Sequence, residues 1–168
     1  DRINFSFEAY YKRTSNMLMR VPESYTVTGE GYRWKNVGVM ANKGIELSAD
    51  GDVIRTRDFT WNVSANVSYN QNRLKELYNG VTEYVNSTTG LKYVVGHSVS
   101  EFFLNRYAGV NPANGEQLWY DKDGNVTNEF RESDKVMTGK TYDAPWMGGF
   151  GTSFRWKGLQ LSAQFSWI

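Results

Sequence analysis

From Phe59 to Asn70 the chain alternates with a period of two. Phe59, Trp61, Val63, Ala65, Val67 and Tyr69 are apolar or aromatic, while Thr60, Asn62, Ser64, Asn66, Ser68 and Asn70 are polar and uncharged. Side chains alternate across a strand, so this segment predicts a strand with one apolar face and one wet face. The same dyad returns in four other places. Ile3, Phe5, Phe7, Ala9 and Tyr11 alternate with Asn4, Ser6, Glu8 and Tyr10. Ile45, Leu47, Ala49 and Val53 alternate with Glu46, Ser48, Asp50 and Asp52. Phe150, Thr152, Phe154 and Trp156 stand opposite Gly149, Gly151, Ser153 and Arg155. Leu159, Leu161, Ala163, Phe165 and Trp167 stand opposite Gln160, Ser162, Gln164 and Ser166. Five strands are expected, at about 2–12, 43–54, 58–72, 147–156 and 158–168.

Length bears on their setting. A strand of about 10 residues at ~3.4 Å each is ~34 Å long, and a tilt of ~40° leaves roughly 26 Å of rise. That matches the ~25 Å apolar band of an outer-membrane barrel. Strands of soluble proteins are commonly shorter, near 5–6 residues. The connections alternate in length as well. Residues 54–58 and Lys157–Gly158 are short turns, whereas about 33 residues separate Tyr11 from Ile45 and about 77 separate Asn70 from Gly148. Antiparallel strands put both long loops, about 13–42 and 75–145, on one side, and both short turns on the other. The expected fold is therefore all-β: part of an antiparallel up-and-down transmembrane β-barrel with long extracellular loops. Five strands do not close a barrel, which needs about eight. The chain is accordingly expected to be part of one larger barrel domain. A soluble β-sandwich that binds carbohydrate is the alternative, and it would require a second sheet packed on the apolar faces.

Composition narrows the function. With 19 Lys plus Arg against 18 Asp plus Glu, bulk charge gives no reason to expect nucleic-acid binding. There is no cysteine, which excludes disulfides, thiol nucleophiles and Cys-ligated zinc. Aromatic residues make up 15% of the chain and Gly numbers 16 against 3 Pro, a profile suited to strands, tight turns and aromatic girdles. The mean hydropathy of −0.58 does not oppose a barrel, because half of each strand and all loops face water. No apolar run approaches the length of a transmembrane helix.

Candidate chemistry is sparse. His97 is the only histidine, so neither a histidine-based zinc site nor a Ser–His–Asp triad is expected. No cofactor and no catalytic residue is assigned. Asp121-Lys122-Asp123-Gly124-Asn125 has the look of a calcium loop, but its Gly is fourth rather than sixth; a hairpin turn within 118–127 is the simpler reading. Asn111-Pro112 and Asn114-Gly115 mark turns before it. Glu46, Asp50 and Asp52 could suggest paired carboxylates, yet polarity on a lumen-facing strand explains them. Trp61, Tyr69, Trp156 and Trp167 are expected to face lipid or its interface. Arg106, Trp119 and Tyr120 are the candidate contacts for substrate or partner. The two rings could also pack within their own hairpin, which is the favoured role.

Several segments resemble the SusC/RagA-type family of TonB-dependent outer-membrane transporters of Bacteroidetes. Asn36-Val37-Gly38-Val39-Met40-Ala41-Asn42-Lys43-Gly44-Ile45-Glu46-Leu47 is similar to the family's Asn-x-Gly-x-Met-x-Asn-Lys-Gly-x-Glu-Leu signature. Tyr10-Tyr11-Lys12-Arg13-Thr14 is similar to the strand end before it. Ala108 to Gly115 and Leu118-Trp119-Tyr120 resemble its Pro-Ala-Thr-Gly and Leu-Trp-Tyr loop, with Asn114 in place of the usual Thr. Pro145 to Phe150 and Trp156-Lys157-Gly158-Leu159 resemble the next strand pair, so the likeness runs through essentially the whole chain. The resemblance implies a barrel of about 22 strands, of which this chain forms part of the C-terminal half. The plug domain, the TonB box and the closing strand would lie outside it. It also implies a bacterial outer-membrane location, a SusD-like surface lipoprotein as lid, energy from TonB through the N-terminal region, and uptake of oligosaccharide or peptide without enzymatic chemistry.

Overall fold

The computed structural model describes residues 2–86 and 90–168; Asp1 and residues 87–89 of the second expected loop lie outside the described residues. In chain order the strands are β1 (Ile3–Ser15), β2 (Leu18–Pro22), β3 (Tyr32–Asn36), β4 (Val39–Arg55), β5 (Phe59–Glu76), β6 (Glu83–Val85), β7 (Lys92–Val94), β8 (Glu101–Leu104), β9 (Arg106–Val110), β10 (Gln117–Tyr120), β11 (Val126–Thr127), β12 (Val136–Thr141), β13 (Trp146–Trp156) and β14 (Leu159–Trp167). One α-helical turn, Tyr25–Thr28, sits between β2 and β3, capped by the Ser24 side chain at its start and by left-handed Gly29 at its end.

The chain forms two compact units. The first comprises Asp1–Ser15, Met40–Arg73 and Ala144–Ile168. It is a five-stranded sheet in the order β1-β4-β5-β13-β14. These are the five strands of the alternating pattern, and they run longer than expected at several ends. β4 begins at Val39 and β5 continues to Glu76.

Register decides which residues share a face. β13 pairs antiparallel with β5, setting Trp146 opposite Tyr69, Phe150 opposite Ala65 and Phe154 opposite Trp61. It pairs antiparallel with β14, setting Phe150 opposite Phe165 and Phe154 opposite Leu161. Across β1 and β4 the Asn4 amide donates to Asp50 at 3.1 Å, and the Asp52 N–H donates to the Arg2 carbonyl at 2.9 Å. Across β4 and β5 the Asn62 amide donates to Asp52 at 3.1 Å and the Asn72 amide to Asn42 at 2.9 Å. All these side-chain bonds lie on the polar face. Alternation then sends every apolar stripe of the five strands to the opposite face.

Among the described residues no second layer covers that face. Ile3 is 74% exposed, Phe5 69% and Leu161 67%. Within this unit only Ala41 is a buried apolar residue. The sandwich alternative required a packed second sheet, and the first unit is a single layer.

The two short turns lie at one end of the sheet. Thr56 and Phe59 close the first, and the Lys157 N–H at the second donates to the Asp58 carbonyl at 2.9 Å. The strand ends that lead into the long connections lie at the other end. The signature around β4 has a physical reading here. Gly38 takes φ +90°, a left-handed turn that favours glycine, immediately before the strand. Gly44 lies beneath the Tyr10 ring, whose hydroxyl donates to Asn70 at 3.1 Å.

The second unit comprises Asn16–Val39 and Leu74–Asp143. The long loops expected from sequence are largely built of short strand pairs: β2 with β3, β6 with β7, β8 with β12, and a three-stranded sheet β11-β10-β9. Val21, Val39, Leu74 and Leu77 are its buried apolar residues. The end of β5 is held by the 96–97 backbone, with Leu74 N–H donating to the His97 carbonyl and Gly96 N–H to the Leu74 carbonyl, both at 2.8 Å.

A Cβ at Gly44 would lie 2.4 Å from the Tyr69 carbonyl oxygen and 2.5 Å from the Tyr10 hydroxyl, whereas one at Gly158 would meet open space. Gly44→Val is therefore expected to destabilise the full-length barrel by about 1–3 kcal/mol, and Gly158→Ala by less. Urea unfolding in a lipid-bilayer refolding assay checks this; equal midpoints would count against the seating of Tyr10 on Gly44.

Candidate functional site

The apolar face of the first unit is graded along its height. At the short-turn end Phe59, Trp61, Phe154 and Trp156 meet: Phe154 stacks on Trp61 at 5.6 Å and tilts against Phe59 at 6.4 Å. At the other end Tyr69 and Trp146 meet at 4.6 Å. Tyr11 on β1 stands one residue pair beyond that level, by the register of β1, β4 and β5. Between the two belts stand Val63, Ala65 and Val67 on β5, with Phe150 stacked on Phe165 at 4.6 Å. The eight steps from Trp61 to Tyr69 at ~3.4 Å, tilted by ~40°, span about 21 Å. Two aromatic girdles around an aliphatic band of that height are what a lipid bilayer selects. Trp61, Tyr69, Trp156 and Trp167, the rings expected to face lipid, all stand on this face.

Two polar side chains on the apolar face, Trp61 and Thr152, are satisfied within the sheet. The Trp61 indole N–H donates to the Thr152 hydroxyl at 2.9 Å. That hydroxyl in turn donates to the Asn62 carbonyl at 3.5 Å. Hydrocarbon offers no partner, so an unpaired donor there would cost several kcal/mol. Thr152 is one residue whose role the alternation alone could not supply, because its partner comes from the neighbouring strand.

The opposite face is the wet wall. Asp50 and Asp52 are bound by Asn4 and Asn62, and Arg55 approaches Asp52 at 3.6 Å. Of the three carboxylates singled out from the sequence, Asp50 and Asp52 are thus engaged with neighbouring strands, and Asp52 also with a cation. The lining is neutral and small across β5, β13 and β14: Ser64, Asn66, Gly149, Gly151, Gln164 and Ser166 border one shallow concavity of about 320 Å³. Among the described residues no group of His, Cys, Asp and Glu is placed to hold a metal ion.

In the second unit Arg106 and Tyr120 are direct partners across β9 and β10. The Arg106 guanidinium lies 5.3 Å from the Tyr120 ring centre and donates to the Asp121 carbonyl at 3.0 Å. Trp119 is not with them. Its register partner is Tyr107, one residue along, and it packs edge-on to Tyr107 at 5.5 Å and to Phe130 at 5.0 Å. Trp119 therefore packs within its own small sheet, while Arg106 remains exposed. The hairpin expected over 118–127 is present, and β9 joins it as a third strand.

Asp121 organises that hairpin. Its carboxylate accepts from the Asp123 N–H at 2.9 Å, the Asn125 N–H at 2.8 Å and the Asn125 amide at 3.0 Å. Gly124 supplies φ +92°. The Asn125 amide, then the backbone donors, hold the Asp121 carboxyl below its ordinary value. The segment forms the hairpin turn that its sequence predicts. Arg131, ion-paired with Glu129, is held above its ordinary value by that partner.

Other clusters were not visible in sequence. Arg20 lies 4.0 Å over the Tyr32 ring, on the face of the β2–β3 pair that also holds Trp34, and donates to the Tyr32 hydroxyl at 2.9 Å. Glu23 joins Lys35 and Arg33 at 3.0 and 3.1 Å. His97 lies in a loop, with Nδ1 2.9 Å from buried Glu101; the other Glu101 oxygen accepts from the Gly139 N–H at 2.8 Å. Tyr84 stacks on Tyr93 and meets Tyr78 edge-on. Burial, and then the neighbouring tyrosines, push the Tyr93 and Tyr78 phenols up.

A model of the TonB dependent receptor-like β-barrel family matches residues 1–167. This chain belongs to that family. It is 29% identical to TonB-dependent receptor SusC of Bacteroides thetaiotaomicron over 140 residues, which is 75% of this chain and 14% of that protein. It is 26% identical to TonB-dependent receptor P3 of Formosa agariphila over 187 residues, 98% of this chain and 18% of that protein. Among solved structures it is similar to the RagAB peptide importer in its open-open state, with a TM-score of 0.89 and 32% identity over 99% of this chain and 18% of the other. The TonB-dependent receptor chain thus spans less than a fifth of the length of these relatives. The family is one of receptors and transporters, and its members are outer-membrane β-barrels.

The Asp121 turn carries a pH signature. Its folded carboxyl titrates below the unfolded one, so the contribution is complete above the ordinary carboxylate range and is lost as the pH falls through the lowered folded value. Hydrogen-exchange protection of residues 121–125, corrected for intrinsic rate, should fall at acid pH, and Asp121→Ala should lack it already at neutral pH. Protection that does not change with pH in the parent protein would remove Asp121 from this role.

Proposed function

We propose that this chain is part of the barrel wall of an outer-membrane, TonB-dependent transporter that takes up oligosaccharide or peptide. The observation that carries the reading is the apolar face. Five strands of 9 to 18 residues present one continuous apolar surface, bounded above and below by aromatic belts and covered by no other element among the described residues. In water such a surface would drive association; against lipid tails it needs no cover. β1 and β14 are the edges of the sheet. Edge strands in hydrocarbon must be paired, so further strands of the same barrel would continue from both.

The polar face then lines the lumen, and uptake requires no bond chemistry from it. Substrate would be met at the long-loop side, where Arg106, Trp119 and Tyr120 are the candidate contacts. Arg106 stacked on Tyr120 offers an exposed planar cation suited to a carboxylate or a hydroxyl-rich ligand. Trp119, held by Tyr107 and Phe130, would act through the shape of the loop sheet. The likeness to a structure described as a peptide importer supports peptide as one substrate class. A SusD-like surface lipoprotein is the proposed partner on that side, and TonB, acting through the N-terminal region of the whole protein, the proposed source of energy.

Two outcomes are expected. Val63→Arg, on the apolar face between the belts, should destabilise the full-length barrel by about 2–4 kcal/mol, and Ser64→Arg by much less. Equal losses in a bilayer refolding assay would contradict the assignment of faces. Cysteines at Thr127 and Arg57 test the sidedness, since the chain has no native thiol. A membrane-impermeant maleimide applied to intact cells should label Thr127→Cys and spare Arg57→Cys. Labelling of Arg57→Cys alone would invert the orientation and remove the loop residues from substrate capture.

A further inference from the structure

Two side-chain oxygens of the second unit, Asn105 Oδ1 and Asp134 Oδ2, are enclosed by the chain and have no hydrogen-bond donor. Asn105 links β8 to β9, and Asp134 ends a 3₁₀ turn, Glu132–Asp134, that leads into β12. The pairing of β12 with β8 sets Val136 opposite Leu104 and so brings the two segments side by side. One backbone atom joins them directly. The Arg131 carbonyl accepts from the Asn105 amide at 2.6 Å and from the Asp134 N–H at 3.1 Å.

These bonds fix what is left over. Turning the Asn105 amide about would press its oxygen against the Arg131 carbonyl, so Nδ2 faces that carbonyl and Oδ1 is the atom without a partner. Asp134 is 6% exposed, and a carboxylate held out of water is costly unless its charge is met. The neighbouring cations are committed elsewhere: Arg131 pairs with Glu129 and Lys135 with Glu132. Arg131 senses the Asp134 charge, but among the described residues Asp134 makes no salt bridge.

A water molecule could donate to both oxygens, yet it would leave the carboxylate charge as it stands. A cation takes oxygens that have no donor and neutralises that charge as well. Carboxylate and amide oxygens are hard ligands, which select calcium over the transition metals. Magnesium fits less well, because it demands near-ideal octahedral geometry and gives up its waters reluctantly. The described residues hold no group of three His, Cys, Asp or Glu suited to a metal; here one carboxylate is joined by an amide oxygen instead.

We propose that Asn105 Oδ1 and the Asp134 carboxylate bind one calcium ion, with water completing its shell, between the β8–β9 link and the turn before β12. A single anionic ligand makes this a weak site, with a dissociation constant on the order of 10⁻⁴–10⁻³ M. The ion ties together two segments distant in sequence, immediately beside Arg106. The proposal needs only the fold of the second unit and stands apart from the transport reading.

The test is hydrogen exchange, read by mass spectrometry, on the full-length protein in detergent. Exchange is compared in EDTA and in about 5 mM calcium chloride, roughly ten times the expected dissociation constant. Amides of residues 131–136 should exchange about tenfold more slowly with calcium. Magnesium at the same concentration should protect them less. Asp134→Asn and Asn105→Ala should each lose the calcium response. Asn105→Asp adds a second carboxylate and should strengthen it; this variant serves if the other two do not fold. Absence of calcium-dependent protection in the parent protein would overturn the site. So would protection that persists undiminished in Asp134→Asn, or a weaker response in Asn105→Asp than in the parent. Each of these results leaves the reading of the barrel wall unchanged.

Discussion

Everything in the first unit depends on strand register. Its side chains repeat every two residues, so a slip of one residue in any pair would turn a whole apolar stripe to the wet side. Two kinds of contact hold the register. On the polar face, Asn4 with Asp50, Asn62 with Asp52 and Asn72 with Asn42 bond across the strands. On the apolar face, Phe59, Trp61 and Phe154 pack together at one end, and Tyr69 with Trp146 at the other. A slip would break both sets together, which makes the correct register a sharp minimum rather than a shallow preference.

The glycines and polar atoms of the sheet serve the same pairing. Gly148 lies under the Trp167 ring and Gly44 under Tyr10, so a large ring from one strand covers a residue without a side chain on the next. Strands drawn close in this way are stiffened without a hydrophobic core. The Trp61–Thr152–Asn62 chain of hydrogen bonds allows an indole and a hydroxyl on the apolar face, because each donor has its acceptor inside the sheet. Backbone pairing and ring contacts therefore replace the core that a soluble domain of this size would need.

The second unit obeys different rules. It has a small buried cluster, and its short sheets are fixed by polar side chains: Asp121 in its turn, Glu23 between Arg33 and Lys35, Glu101 holding the Gly139 amide. For buried Glu101, His97 and the Gly139 amide offset the cost of desolvation. Rigid loops of this kind can present Arg106 on a fixed surface.

The sequence by itself determined the five long strands, their two faces, the turn at Asp121–Asn125 and the family. A two-residue alternation sustained over ten or more residues has a single structural reading, and local turn chemistry needs no distant partner. It also pointed to the rings of the apolar face, since Trp61, Tyr69, Trp156 and Trp167 sit in phase with the apolar stripe. Only the tertiary structure decided how the long connections fold. β8 pairs with β12 from more than thirty residues away, and strands of two to six residues carry too little periodicity to be read alone. It also divided the three candidate contacts. Arg106, Trp119 and Tyr120 lie close in sequence or in one hairpin, yet pairing of β9 with β10 sets Arg106 beside Tyr120 and turns Trp119 to the other face, because which side chains meet across a sheet is fixed by a partner strand that no local pattern contains.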